Sequence, residues 1–485
     1  MSGRIILYVI LAYFGLLLFI AWVTGRKSSS NDAFFLGNKQ SPWYIVSIGM
    51  IGTSLSGVTF VSVPGLVRQI DMTYMQMIIG FFFGYILIAK ILLPLYYKLK
   101  LTSIYSYLDR RIGRSGYKTG ACFFLLSKLI GAAARLYLVV WILQTYVFGQ
   151  WHIPFVATAV ISIFLVWLYT FRGGIKTIVW TDTLQALCLV AMLIGIIWQV
   201  KIRMGVDMDG MIRTITESPH FHIFEWNDWG STQHFAKQFL SGIFITIVMT
   251  GLDQDMMQKN LSCRSLKEAQ RNMYTYGFAF MPINLLFLCL GVLLLALASQ
   301  QGIGLPVSND DILPMFCTSG LLGSSILIFF TIGIIAAAFS SADSALTALT
   351  TSFCVDILNV EKDKTGKAKH TRMGVHLLMS VLFVLIIILF RAVNSRSLID
   401  AIYMIASYTY GPLLGLFVFG LFTRRKPDNR YVPFVCIAAP LICFATNYLV
   451  FRFTGYRFGY EILILNGALT FAGLSIRSKL QKTTV

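Results

Sequence analysis

The sequence predicts an all-α polytopic membrane protein, and three observations carry that reading: an apolar composition, about thirteen apolar stretches of spanning length, and interruptions inside two of them. Hydrophobic residues make up 56% and charged residues 13% of the 485, and the mean hydropathy is +0.72. A soluble domain carries about 25% charged residues, so this chain belongs in lipid. Crossing a hydrocarbon layer ~30 Å thick takes roughly 20 apolar residues in a helix. Residues 4–23, 43–66, 73–97, 119–148, 154–171, 177–200, 237–258, 273–299, 322–350, 373–391, 398–422, 431–452 and 460–476 meet that length or come close to it. The first stretch is too long for a signal-peptide core and lacks a small-residue cleavage site before Gly25-Arg26-Lys27, so it is read as a retained span.

The formal charge of +19 is spread over short loops instead of forming one basic patch, which argues against nucleic acid as a partner. With the N-terminus outside, the inside loops collect Arg26, Lys27, Lys39, Lys98, Lys100, Arg110, Arg111, Arg114, Lys118, Lys259, Arg264, Lys267 and Arg271. The basic runs 362–372, 424–430 and 477–482 fall on the same side. The excess of inside charge predicts N-terminus out and C-terminus in. Lys90 and Lys128 lie within spans near the inner side, and their long stems are expected to carry the ammonium to the interface. Eight cysteines without a Cys-x-x-Cys pair indicate neither a disulfide framework nor a zinc site. His220, His222, Glu225 and Asp228 read as a solvated outer loop. No His-Glu-x-x-His, nucleophile with its base, or repeated pore ring appears, which disfavours an intramembrane enzyme or a channel.

The second span holds Gly49-Met50-Ile51-Gly52-Thr53-Ser54-Leu55-Ser56-Gly57, and the seventh holds Thr250-Gly251-Leu252-Asp253-Gln254-Asp255. Irregular backbone at membrane depth is tolerated where it lines a polar cavity, so both are candidate binding segments. Close helix packing through small residues is the alternative for the second, but packing does not call for Asp253 and Asp255. The two breaks are five spans apart, and an odd offset runs them in opposite directions across the membrane. That is the pattern of an inverted repeat with a site near the midplane.

Three motifs carry a family resemblance: Gly173-Gly174-Ile175-Lys176-Thr177-Ile178-Val179-Trp180-Thr181-Asp182-Thr183-Leu184-Gln185; Gly251-Leu252-Asp253-Gln254-Asp255-Met256-Met257-Gln258-Lys259 with Ser265 to Gln270; and Ala336-Ala337-Ala338-Phe339-Ser340-Ser341-Ala342-Asp343-Ser344. Together they resemble the sodium/solute symporter family over about residues 4 to 480. The resemblance implies a leucine-transporter-like inverted repeat of five helices plus five and a single transport domain, 1–485. Residues 4–23 are then an extra helix, 43–200 the first repeat, 237–422 the second and 431–485 the C-terminal helices. It further implies alternating access, Na+ as the coupling ion, a small polar solute, and a multi-pass protein of the cell membrane that works as a monomer. A membrane sensor built on the same fold is the remote alternative; with the sequence ending within about ten residues of the last span, it is expected to need a partner protein.

The third motif also has a physical reading of its own. Ala337, Ser340, Ser341 and Ser344 stand at i, i+3, i+4 and i+7, so one helix face presents hydroxyl oxygens beside a backbone carbonyl. Serines bonding back onto their own helix would explain isolated pairs equally well. A hard monovalent cation suits such neutral oxygens, and the resemblance assigns the completing carbonyls to Gly52 and Leu55. Asp182 lies inside a span and needs a cation or a strong partner. By resemblance it forms a second sodium site with Ser344, where Asp343 stands in place of a hydroxyl and leaves sodium or a proton open.

Arg135 lies deep in an apolar span and requires an anion or several carbonyls. A solute carboxylate would satisfy its fork, and pairing with Asp253 or Asp182 is the structural alternative. Family members that carry sialic acids resemble this chain in that arginine and in hydroxyls matching Ser54, Ser56 and Thr59, so the reading leans to an acidic sugar or other carboxylate. Sugar-carrying members use carboxamides, and Gln76 is the amide in the corresponding segment; a neutral sugar, polyol or amino acid is the other reading. Asp253 and Gln254 complete the candidate solute contacts.

Overall fold

The computed structural model describes residues 3–25, 31–360, 368–392 and 398–480. The basic residues Arg26, Lys27, 362–367 and Lys482 lie outside the described residues.

The order of helices follows the apolar stretches. Helix α1 (Gly3–Gly25) and the short α2 (Asn31–Leu36) precede a bent pair, α3 (Trp43–Ser54) and α4 (Gly57–Ile70), which meet at 59°. Next, α5 (Tyr74–Leu87) runs through a wide turn into α6 (Leu93–Leu99), and the short α7 (Ser106–Arg111) leads to α8 (Arg114–Ile142). Two expected spans, 154–171 and 177–200, follow one another as α9 (Phe155–Met204), bent at Gly174, whose φ of 51° suits a residue without a side chain. After α10 (Met208–Thr216) comes the second bent pair, α11 (Phe235–Thr246), extended to Gly251 by a wide turn, and α12 (Gln254–Leu261), at 64°. The rest is α13 (Leu266–Gln301), α14 (Ile312–Thr318), α15 (Ser324–Ser352), α16 (Ala368–Ala392), α17 (Leu398–Thr409), α18 (Gly411–Phe422), α19 (Val432–Thr454) and α20 (Ile462–Ile476). A short antiparallel ribbon pairs Arg425–Pro427 with Ser478–Leu480.

Among the described residues, seven helices are long and apolar enough to cross a membrane, and ten spans result if each bent pair counts as one. Two of the bent pairs fall at the interruptions expected from glycine and polar residues. The third, α17 with α18 at 43°, lies in a stretch read as one straight span; Pro412 at the start of α18 removes an amide there and ends the ladder of α17. Cys317 is buried in α14.

Helix α15 lies at the centre, packed along α9 and α8, while α19 presents Phe434, Ile437, Leu441 and Phe444 outward as a lipid-facing stripe. Helices α5 and α11 touch backbone to backbone. A Cβ added at Gly80 would lie 2.2 Å from the Phe239 carbonyl oxygen, and one at Gly242 would lie 2.3 Å from that of Met77.

Candidate functional site

The break between α3 and α4 frees carbonyl oxygens. The Leu55 amide donates to Ile51, the Ser56 amide to Ser54 at 3.0 Å, and the Thr59 amide to the Ser56 hydroxyl at 3.4 Å. The carbonyls of Gly52 and Leu55 are thereby released from the helical ladder, as at any helix end. That of Thr53 accepts the Ser341 hydroxyl at 3.2 Å, and the same hydroxyl reaches Ala337 O at 3.2 Å. Helix α15 therefore meets the break through Ser341, whose hydroxyl also bonds back to Ala337 O. The approach of α3 to α9 is equally tight, since a Cβ on Gly52 would sit 2.8 Å from Asp182 O.

Asp182 occupies the space between α3, α9, α12 and α15. Its Oδ1 accepts Ser340 Oγ at 2.7 Å; its Oδ2 accepts Thr53 Oγ1 at 2.9 Å and Ser344 Oγ at 3.1 Å and pairs with Lys259 Nζ at 2.7 Å. Lys259 also donates to Thr53 Oγ1 and lies 3.7 Å from Asp255. Asp343 is turned to other partners, accepting Tyr169 OH at 2.8 Å and the Ser344 amide at 2.5 Å. Lys259 was expected in an inside loop. It is 1% exposed instead, because α12 bends back into the protein and gives it two carboxylates.

The second break is held by phenols: Tyr96 OH donates to Gly251 O at 2.9 Å and Tyr105 OH to Leu252 O at 2.8 Å. Asp253 caps α12 by accepting the Asp255 amide at 2.9 Å, and it accepts Tyr410 OH at 2.8 Å. Lys128 Nζ pairs with Asp253 at 3.1 Å and Asp255 at 2.8 Å, so it is a buried structural cation and does not reach the interface as expected. The charge of these two aspartates keeps it inside.

Between the two breaks and α8 lies a cleft of about 940 Å³ with its open mouth included. Its walls carry Ser54, Ser56, Thr59, Lys128, Arg135, Asp253, Tyr276 and Tyr410. Ser54 Oγ and Tyr276 OH are 2.5 Å apart, and Tyr276 continues to Tyr85 at 2.9 Å. Arg135 is half-buried in this wall, and among the described residues no carboxylate stands within ion-pair distance of it. Asp253 and Asp182, its alternative partners on sequence grounds, are taken by Lys128 and Lys259.

Two expected solute contacts do not reach the cleft. Gln76 donates to Thr73 O and Gln233 O at 3.2 and 2.8 Å and accepts the Glu225 amide at 3.0 Å, fastening the loop before α11 to α5. Gln254 spans Thr102 O and the Ile104 amide at 2.9 and 3.0 Å. Each carboxamide is spent on backbone, which a sequence cannot show. Gln76→Leu accordingly leaves the half-saturation constant for solute within about twofold and lowers the melting temperature by several degrees, since an orphaned buried backbone group costs ~1–3 kcal/mol; a thermal-shift assay beside uptake kinetics checks this.

The sequence reading missed Thr53, Tyr410 and the roles of Lys128 and Lys259. Spacing held part of the signal: Lys128 stands seven residues before Arg135, on the same helix face.

A profile of the sodium:solute symporter family matches residues 34–429. The chain belongs to the sodium:solute symporter family. The symporter is thus a sodium-coupled secondary transporter of the cell membrane, with Na+ as coupling ion. It is 26% identical over 480 residues to the sodium/sialic acid symporter SiaT of Proteus mirabilis, covering 95% of this chain and 94% of the relative. In fold it is similar to a solved Na+-coupled sialic acid symporter in a substrate-bound outward-open state, with a TM-score of 0.85 at 22% identity over 98% of this chain and 99% of the other. It is also similar to Mhp1, a nucleobase-cation-symport-1 family transporter, with a TM-score of 0.58 at 14% identity over 93% and 94% of the two chains.

Proposed function

We propose that the symporter imports a small carboxylate-bearing solute of the sialic acid class, unchanged chemically, with Arg135 receiving the carboxylate. The observation that carries this reading is the half-buried guanidinium in the cleft wall, which has no carboxylate partner among the described residues. Ser54, Ser56 and Thr59 supply hydroxyls beside it for the polar groups of a sugar. The sialic acid symporter among the relatives supports the same class. Sodium is held by the released carbonyls of Gly52 and Leu55, by Ala337 O, and by the hydroxyls of Ser340 and Ser341, so that the cation joins α3 to α15.

In this reading the chain acts as a monomer with thirteen spans, N-terminus outside and C-terminus inside. Residues 43–200 and 237–422 form the two repeats, each beginning with a bent pair. The short apolar helices Tyr8–Thr24, Phe155–Phe171 and Ile462–Ile476 supply the spans beyond the ten above. In proteoliposomes, an inward sodium gradient is expected to accumulate radiolabelled sialic acid, while potassium in place of sodium gives none. Equal uptake in both salts would end the reading, and sodium-driven uptake of neutral hexoses in preference to sialic acid would move it to sugars.

A further inference from the structure

We propose that the Lys259 ammonium is the resident cation of the Asp182 site, so that the symporter binds a single sodium and couples one sodium to each solute. The inference rests on the sodium site proposed at Gly52, Leu55, Ala337, Ser340 and Ser341, and concerns what stands beside it.

Three observations support it independently. The first is occupancy. A carboxylate offers about four lone-pair positions. Oδ2 of Asp182 already takes Lys259, Thr53 and Ser344, and Oδ1 takes Ser340. With its amide oriented so that nitrogen faces the carboxylate, Gln185 donates to Oδ1 as well, at 3.2 Å. No position is left for a free ion.

The second is charge. Lys259 Nζ stands 2.7 Å from Asp182 and is 1% exposed, so it cannot swing to the aqueous phase, and a sodium entering the same carboxylate would meet a fixed like charge at contact range. Removal of a buried cation from such a pair is unfavourable because the carboxylate is left alone, which holds the lysine in place.

The third is the ligand set. Asp343, the residue before Ser344, is turned to Tyr169 and to the Ser344 amide, so it brings no neutral oxygen to an ion at Asp182. The tethered ammonium instead draws α12 to α9 and α3, supplying by a covalent arm the neutralisation that a second ion would bring from solution.

The test counts ions on purified protein, using 22Na+ as the probe at equilibrium with no solute present. Wild type is expected to bind one sodium per chain, and Lys259→Met, which vacates Asp182, to bind two. The double variant Asp182→Asn with Lys259→Met removes both charges together and is expected to return to one; it also guards against a misfolded single variant. Two sodium ions on wild type, or one on a folded Lys259→Met, would overturn the inference while leaving the proposed sodium site intact. Failure of that site has a different signature: wild type would bind none, or Ser341→Ala would bind as wild type does. Transport gives a second readout. A one-sodium cycle with a monoanionic solute moves no net charge, so a tenfold sodium gradient accumulates it about tenfold at any imposed voltage. Two sodium ions would give about a hundredfold at zero voltage and a further rise with an inside-negative potential, which also overturns the inference.

Discussion

Loss of both hydroxyls at Ser340 and Ser341 is expected to raise the sodium concentration for half-maximal uptake by about a hundredfold or more, beyond what proteoliposome experiments can saturate. Each hydroxyl contributes a hydrogen-bond-strength contact to a charged partner, ~1.5–3 kcal/mol, and 1.4 kcal/mol is about a factor of ten. The two serines have different surroundings, which makes the single variants informative. Ser341 lies against Thr53 O and Ala337 O, so Ser341→Ala removes a proposed sodium ligand and little else. Ser340 also donates to Asp182, so Ser340→Ala withdraws one of that carboxylate's partners as well and costs melting temperature in sodium-free buffer. A double variant with the sodium dependence of wild type would remove both residues from the site.

Arg135→Ala is expected to weaken sialic acid binding by roughly thirtyfold to several thousandfold, the range of ~2–5 kcal/mol for truncating one side of a buried, hydrogen-bonded charge pair. Arg135→Lys keeps the charge but loses the planar fork, so its loss is smaller. The ranking of ligands is the sharper observable. Wild type in sodium is stabilised against heat by sialic acid more than by its carboxamide analogue, and Arg135→Ala treats the two alike. If the alanine variant still preferred the acid, the carboxylate would bind elsewhere, and Lys128, seven residues away on the same helix face, would be the next residue to replace.

The periodicity and the glycines made much of this structure legible in the chain. Apolar runs of spanning length locate the long helices, and Gly52 with Gly251 locate two of the three bent pairs, because both the composition and the loss of helix propensity are local properties. The hydroxyl face of α15 was equally readable, since residues four apart share a helix face wherever the helix goes. What stayed hidden depends on contacts across the fold. Lys128 and Lys259 are indistinguishable by sequence from lysines that reach the interface until α12 is seen to turn inward, placing Asp253 and Asp255 beside Lys128 and carrying Lys259 to Asp182 on α9. Gln76 and Gln254 are amides in the expected segments, and only the path of the loop before α11 and of residues 102–104 shows that backbone has claimed them. The break at Pro412 carried a local signal that the apolar character of 398–422 outweighed.

The contact of α5 with α11 at Gly80 and Gly242 bears on how the two proposed repeats would move against each other. Where main chains meet with no room for even a methyl group, sliding or parting would open a void that neither water nor lipid can fill, so the two helices turn together as one lever. Bending is then left to places where the hydrogen-bond ladder is already broken, among them Leu55-Ser56, beside the released carbonyls, and Leu252-Asp253, beside the capping carboxylate. The breaks and the proposed binding groups then share residues, so a ligand bound there would stiffen a joint directly, without any relay between distant sites.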